Sequence, residues 1–129
     1  ALAGLLDARG GEVFLLATSD HGENLLDDER GLFQHALTEP TRWDTRVPVW
    51  LHANQAWRQR QPQRWARLRD HARVPAMQAD IVPTLLGAAG IGYLEPRASV
   101  VDLGERPPPV RTRSVVRRLG QTVDWDRLP

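Results

Sequence analysis

The sequence predicts an α/β fold, because strand-type and helix-type stretches alternate along the chain and a hairpin pattern follows them. The first strand is expected at Val13–Ala17, a continuous apolar run typical of a strand buried on both faces of a parallel sheet. The second is expected at Arg46–Ala53, where Pro48 lies near the start and its missing N–H is tolerated. Between them, residues 19–46 have mixed polarity and are predicted to form a long functional loop with one helical turn.

Three helices are predicted around these strands. Residues 2–9 carry a short apolar stripe that Gly10 and Gly11 end. A second helix is expected after Pro62, within an Arg-rich stretch, because proline is tolerated in a first helical turn. The third is expected at Gln78–Ile91, where Leu and Ala residues supply an apolar face.

The third predicted helix has signals at both ends. Asp80 suits the N-cap, Pro83 falls in the first turn, and Gly90 supplies the stop. Beyond it lies a connector rich in Pro and Arg, with a short strand predicted at Ser99–Asp102. The end of the chain is predicted to be a β-hairpin that turns at Leu119–Gly120.

Composition limits the chain to one small domain of ordinary soluble character. The 129 residues include no cysteine, so disulfides and thiolate metal sites are excluded. No apolar run approaches the roughly 18 residues that span a membrane. The first residues, ALAGLLDARGGEVF, read as the late part of a helix that runs into a strand. We therefore expect residues 1–129 to be a single partial domain, a fragment whose true N-terminus lies far upstream.

All 17 basic side chains are Arg, and six of them lie between Trp57 and Arg73 against one Asp. Arg together with Trp57 and Trp65 suits a membrane–water interface that contains anionic lipid. The favoured alternative is a solvated face whose Trp side chains pack inward. Nucleic-acid binding is not expected, because the basic patch is short and the formal net charge is only +1.

A polar loop, Ser19–Glu23, follows the first predicted strand. Open α/β sheets bind ligands beyond the carboxyl ends of their strands, and Asp20 and His21 are good ligands for Zn²⁺ or another divalent metal. Consecutive side chains of a strand point to opposite faces, so both reach one ion only if the strand breaks, which Gly22 permits. Glu23 would then orient the His21 imidazole. The alternative is that these are ordinary polar loop residues.

Four segments of the chain together resemble one protein family. The stretch TSDHGENL resembles the late metal-binding motif of the alkaline phosphatase and sulfatase superfamily, and within it the motif of the bacterial phosphoethanolamine transferases. Gly31–Leu37 is similar to the segment that carries their downstream active-site His. Thr45–Ala53 is similar to a strand of that domain, and Ala79–Ile91 to a later helix. The resemblance covers most of this chain but only roughly the C-terminal third of such a catalytic domain.

This resemblance implies the C-terminal portion of an alkaline-phosphatase-like α/β/α sandwich with a terminal β-hairpin. It implies that Asp20 and His21 are metal ligands, and that His35 is catalytic and contacts the substrate phosphate or a second zinc. The family's His is usually followed by Gly, whereas Ala36 stands here. The nucleophilic Thr of the family comes from an upstream segment, and Thr18 is not a candidate because it belongs to the predicted strand.

The implied activity is zinc-dependent transfer of phosphoethanolamine from phosphatidylethanolamine to lipid A or a core sugar, through a covalent Thr intermediate. Such an enzyme is a bacterial inner-membrane protein with a periplasmic catalytic domain, held in the membrane by upstream segments. Two alternatives stay open: a sulfatase or phosphodiesterase of the same superfamily, and a non-catalytic module that binds anionic lipid. The isolated chain is expected to be inactive, and either marginally stable or self-associated through the exposed edge of Val13–Ala17.

Overall fold

The chain divides into two compact units in the computed structural model. The model describes residues 2–35, 39–92, 100–110, 112–116 and 120–128. The first unit comprises Ala1–Leu16 with Leu51–Arg111, and the second comprises Ala17–Trp50 with Thr112–Pro129. Each unit is therefore assembled from two separate stretches of chain. None of the helices in these described ranges has both the length and the apolar character that crossing a bilayer requires.

Helices and three small sheets make up the described part of the chain. The helices are α1 (Leu2–Ala8), α2 (Arg42–Thr45), α3 (Gln55–Arg60), α4 (Pro62–Asp70) and α5 (Ile81–Ala88), with 3-10 turns at His71–Arg73, Gln78–Asp80 and Trp125–Arg127. The strands are β1 (Phe14–Thr18), β2 (Asn24–Leu25), β3 (Phe33–Gln34), β4 (Val49–Ala53), β5 (Ser114–Val116) and β6 (Thr122–Asp124). Strand β1 pairs with β4, β2 pairs antiparallel with β3, and β5 pairs antiparallel with β6.

Both predicted long strands are present, with shifted bounds. Strand β1 lies one residue beyond the predicted Val13–Ala17, and β4 begins only at Val49, directly after Pro48. Proline lacks the N–H that a ladder needs, which explains the later start. The prediction that the first strand is buried on both faces is wrong for the described residues, because Phe14–Leu16 are only half-buried. In the described part of the chain β1 pairs with β4, and Phe14 packs against Trp57.

The core of the first unit is centred on Trp57, which is 2% exposed. Its ring centroid lies 4.8 Å from that of Phe14 and 6.4 Å from that of Trp65, the latter edge-on. Its Nε1–H donates to the carbonyl of Ala88 at 3.1 Å, so the polar end of the indole is satisfied inside the core. The Trp side chains of the Arg-rich stretch therefore pack inward, as the solvated-face interpretation expects.

The connector after the last helix is held by side chains rather than by strand pairing. Residues 100–102 form no strand, so the prediction at Ser99–Asp102 is wrong there, and Ser99 itself lies outside the described residues. Val101 is buried, and its N–H donates to Asp80 Oδ1 at 3.1 Å. The other oxygen, Oδ2, accepts from the N–H of Met77 at 2.9 Å. Asp80 precedes α5 as predicted but makes no side-chain capping bond to it.

Helix α5 ends at a glycine, as predicted. Gly90 has φ +76°, a conformation that favours glycine, and its N–H donates to the Gly87 carbonyl at 3.0 Å. The N–H of Ile91 reaches back to the Leu86 carbonyl at 2.9 Å. These two bonds form a Schellman motif, which satisfies carbonyls that the helix leaves open.

The predicted terminal hairpin is confirmed as β5–β6 in the second unit. Gly120 has φ +79°, in keeping with a turn, whereas Leu119 lies outside the described residues. After the hairpin, Trp125 Nε1–H donates to Thr45 Oγ1 at 2.9 Å, which ties the hairpin to α2. The Arg113 guanidinium lies 4.2 Å from the Trp125 ring centroid. The hairpin is thus fastened to the single helical turn of the long loop.

Candidate metal site

The loop after β1 turns towards α2 at Gly22. The Gly22 N–H donates to the Asp44 carbonyl at 2.9 Å. The backbones approach so closely that a Cβ on Gly22 would lie 2.0 Å from the Trp43 carbonyl oxygen. Ser19 Oγ donates to the His21 carbonyl at 2.6 Å, which tightens the same turn. Glycine is therefore required here for close approach, and the loop conformation is set by α2 as well as by local sequence.

The imidazole of His21 is oriented by the peptide that follows it. Its Nδ1 lies 2.7 Å from the Gly22 carbonyl oxygen, so Nδ1 carries the proton and Nε2 is available to a ligand. The Gly22 carbonyl raises the pKa of His21, burial opposes this, and the carboxylates of Asp20, Glu23 and Asp44 add to the increase. The raised pKa reflects a negative environment around the ring, which also favours a cation.

His35 reaches the same place from the other side of a short hairpin. In the β2–β3 ladder, Asn24 pairs with Gln34 and Leu25 pairs with Phe33, so the residues that flank the ladder, Glu23 and His35, approach each other. The Nδ1 atom of His35 lies 3.0 Å from Glu23 Oε2.

The rings of His35 and His21 are stacked, with centroids 3.8 Å apart and planes inclined by 27°. Two histidines that are far apart in the sequence thus share one location.

His21, Glu23 and His35 form a group that fits a metal ion. Each offers one ligand atom, and these atoms lie within 4.8 Å of one another. Glu23 Oε1 is buried and has no hydrogen-bond partner among the described residues. A buried carboxylate oxygen without a partner is unfavourable, and a cation would satisfy it. Two imidazoles and a carboxylate are also a ligand set that Zn²⁺ accepts.

Asp20 lies beside this group rather than in it. Its Oδ1 is 3.8 Å from His21 Nε2, and its side chain is 87% exposed. Its own backbone N–H lowers the pKa of Asp20, and the nearby His21 lowers it further. The carboxylate therefore stays ionised and adds negative charge next to the His21 ring.

Glu23 has a role that the sequence reasoning missed. It was expected to orient the His21 imidazole, whereas its Oε2 contacts the His35 ring and its Oε1 faces no donor in the described part of the chain. No local signal for this was available, because residues 21–23 lie in a loop that turns at Gly22 rather than in a strand.

The other two histidines, both in the first unit, have single partners. His52 Nε2 lies 3.3 Å from Asp7 Oδ1, at ion-pair distance but without hydrogen-bond geometry. His71 Nδ1 lies 2.8 Å from the Leu103 carbonyl oxygen. Among the described residues neither joins a metal-binding group.

Comparison of the chain with protein-family models, with curated proteins and with solved structures finds no match.

Proposed function

We propose that His21, Glu23 and His35 bind a divalent metal, zinc in the first place, in the catalytic domain of a phosphoethanolamine transferase. The observation that supports the proposal is that two segments, each similar to a segment of the same family, bring their histidines together. The segment around His21 resembles the family's metal motif, and the segment around His35 resembles its active-site histidine segment. In the structure the two rings stack at 3.8 Å, one from each side of the β2–β3 hairpin. Both segments that carry the resemblance thus contribute a ring to the same group.

The groups around the rings prepare them for this role. The Gly22 carbonyl holds Nδ1 of His21, so that its Nε2 is available, and Glu23, itself one of the proposed ligands, places one carboxylate oxygen 3.0 Å from Nδ1 of His35. An outer contact such as that of the Gly22 carbonyl fixes the tautomer and the orientation of a ligating imidazole. The ionised Asp20 adds attraction for a cation. When bound, zinc would stabilise charge on phosphoryl oxygens and lower the pKa of an attacking hydroxyl.

The substrates and the cellular location in this proposal rest on the resemblance alone. The donor would be phosphatidylethanolamine, the acceptor lipid A or a core sugar, and the intermediate a phosphoethanolamine ester of a Thr outside these 129 residues. The domain would face the periplasm in a bacterial inner-membrane protein. A hydrolase of the same superfamily would use the same metal group, so transfer to an acceptor has to be measured directly.

Zinc titration of the 129-residue chain by calorimetry tests the metal site. We expect one zinc per chain, and weakening of binding by more than about a hundredfold in His21→Ala, since a direct ligand contributes more than an outer contact. His71→Ala is the matched control, because that histidine bonds a carbonyl in the other unit. Unchanged affinity and stoichiometry in His21→Ala would refute the assignment. In the full-length protein, His35→Ala should abolish transfer and shift the melting temperature little.

A further inference from the structure

We infer that Asn24 is a positioning residue for the metal group, an inference that rests on the proposed function. Asn24 directly follows Glu23 and is 1% exposed. Its Nδ2 donates to the carbonyl oxygen of Gln34 at 2.7 Å, and Gln34 directly precedes His35. One side chain thus joins the two chain segments that carry the ligands. The ladder of β2 and β3 spans only two residues per strand, which is too short to hold this register by itself.

The conformation of Gln34 explains why a side-chain clamp is needed. Gln34 has φ +73°, in the left-handed region that disfavours residues with a Cβ by about 1–2 kcal/mol. Such a conformation persists only where the surroundings over-determine it. The bond from Asn24 to the Gln34 carbonyl is the contact that holds this peptide. The unusual backbone turns the chain at the residue before His35, so that its ring meets Glu23 and His21.

Asn24 is itself held in one orientation. Its Oδ1 accepts from Thr41 Oγ1 at 2.7 Å, and a carbonyl at the other end of the amide can only accept, so the assignment of oxygen and nitrogen is unambiguous. Thr41 is the N-cap of α2 and accepts from the N–H groups of Trp43 and Asp44 at 3.2 Å each. The same helical turn accepts from Gly22, next to His21. All three proposed ligands are therefore connected to the same helical turn, α2, either through Gly22 or through Asn24.

A buried asparagine of the first unit provides a matched control. Asn54 is 2% exposed. Its Nδ2 donates to the Gly11 carbonyl at 2.8 Å, and its Oδ1 accepts from the N–H groups of Val13 and Trp57 at 3.0 Å. It is as buried and as well bonded as Asn24, but it contacts no ligand. Asn54→Ala therefore reports the cost of losing a buried amide without a positioning role.

The experiment has a metal-free and a metal-bound readout on the whole chain. Without metal, the nuclear Overhauser effect between the ring protons of His21 and His35 should be strong in the wild type and lost in Asn24→Ala. With zinc, Asn24→Ala should weaken binding about tenfold to a hundredfold, the range found when outer contacts of metal ligands are removed. Asn54→Ala should keep both the ring contact and the zinc affinity in its folded fraction. Retention of the ring contact in Asn24→Ala would overturn the inference.

Two further variants keep the test decisive. If Asn24→Ala does not fold, the isosteric Asn24→Asp replaces the donor by an anion that faces the Gln34 carbonyl, and it should lose the ring contact too. Combining Asn24→Ala with Gln34→Gly removes the backbone strain and should restore part of the zinc affinity. If the wild type shows the ring contact but binds no zinc, the proposed function is refuted. The effect of Asn24 on the two rings is still tested by the measurement without metal.

Discussion

The two units of the molecule both bury hydrogen-bonded polar side chains, but among the described residues they differ in how many apolar side chains they bury. In the first unit, apolar residues form a contiguous cluster: Ala53, Trp57, Leu68 and Ala88. In the second unit, Asn24, Thr41 and Asp44 are buried and bonded to one another through Thr41. Apolar burial is non-directional and tolerates small shifts of the chain. Hydrogen bonds require defined distances and angles. The first unit also has directional bonds of this kind, around Asn54 and Asp80, so what distinguishes the second unit among the described residues is that it has no comparable apolar cluster.

The candidate site lies beside the hydrogen-bonded network of the second unit. A metal group needs its ligands held to within a fraction of an ångström, which a directional network provides. The arrangement leaves apolar surface uncovered, because Leu25, Leu26 and Phe33 of the site hairpin are 62%, 62% and 58% exposed. The second unit therefore has fewer buried apolar contacts to support it. Three changes test this contrast, and they follow from the largest expected effect to the smallest.

The largest effect is expected for Trp57→Ala in the first unit. It empties the centre of the apolar cluster and should lower the free energy of unfolding by about 3–5 kcal/mol. Trp50→Ala is the matched control, because Trp50 is 67% exposed and should change stability by less than about 0.5 kcal/mol. Urea denaturation followed by circular dichroism measures both. Similar losses for the two variants would contradict the assignment of the core.

Gly22→Ala should have the next largest effect and acts on the second unit. The added Cβ would lie 2.0 Å from a backbone oxygen, which no side-chain rotation relieves, and we expect a loss of about 3 kcal/mol. The site should open, with loss of the His21–His35 ring contact in NMR spectra. Gly4→Ala, in α1, has nothing within 4 Å of the added Cβ and should be neutral or slightly stabilising. A stable Gly22→Ala chain with an intact ring contact would show that the loop adapts.

The smallest effect concerns acid pH and the exposed turn of the site hairpin. The Arg30 guanidinium lowers the pKa of Asp28 to about 2 from its usual 3.8. A carboxyl group whose pKa is lower in the folded chain than in the unfolded chain stabilises the fold at pH values above the unfolded pKa. This contribution is lost as the pH falls from about 4 to about 2. Because the pair is on the surface, the effect should be small and weaken with salt. Carbon NMR titration should show the Asp28 midpoint rising towards its usual value in Arg30→Gln. An unchanged midpoint would remove Arg30 as the cause.

Elements with local signals could be predicted from the sequence. The apolar run before Ser19 indicated β1, and Gly90 indicated the end of α5, because both depend on adjacent residues. The connector strand failed for the opposite reason. Val100 and Val101 have the character of a strand, but the N–H of Val101 is taken by Asp80, 21 residues earlier. No local pattern contains that partner, so the apolar pair predicted a strand that does not form.

The same limit applies to the candidate site. Spacing alone identified a polar loop after a strand, and only the resemblance connected it with His35. The choice of Glu23 over Asp20 depends on how the loop turns at Gly22, and that turn is fixed by the Asp44 carbonyl in α2. A sequence pattern does not contain the distance between two loop residues and a later helix. The proposed group of His21, Glu23 and His35 therefore could not be identified from the sequence alone.

The attachment of the terminal hairpin has a consequence for the order of folding. The bond between Trp125 and Thr45 joins residues 80 apart, whereas the bond between Thr41 and Asn24 spans 17. By the logarithmic law of loop closure, the longer loop costs about 1.4 kcal/mol more chain entropy before any contact compensates it. Contacts of small sequence separation form faster. The site loop of the second unit can thus become ordered early, while the hairpin that braces α2 docks late, after the intervening chain has been synthesised and has collapsed.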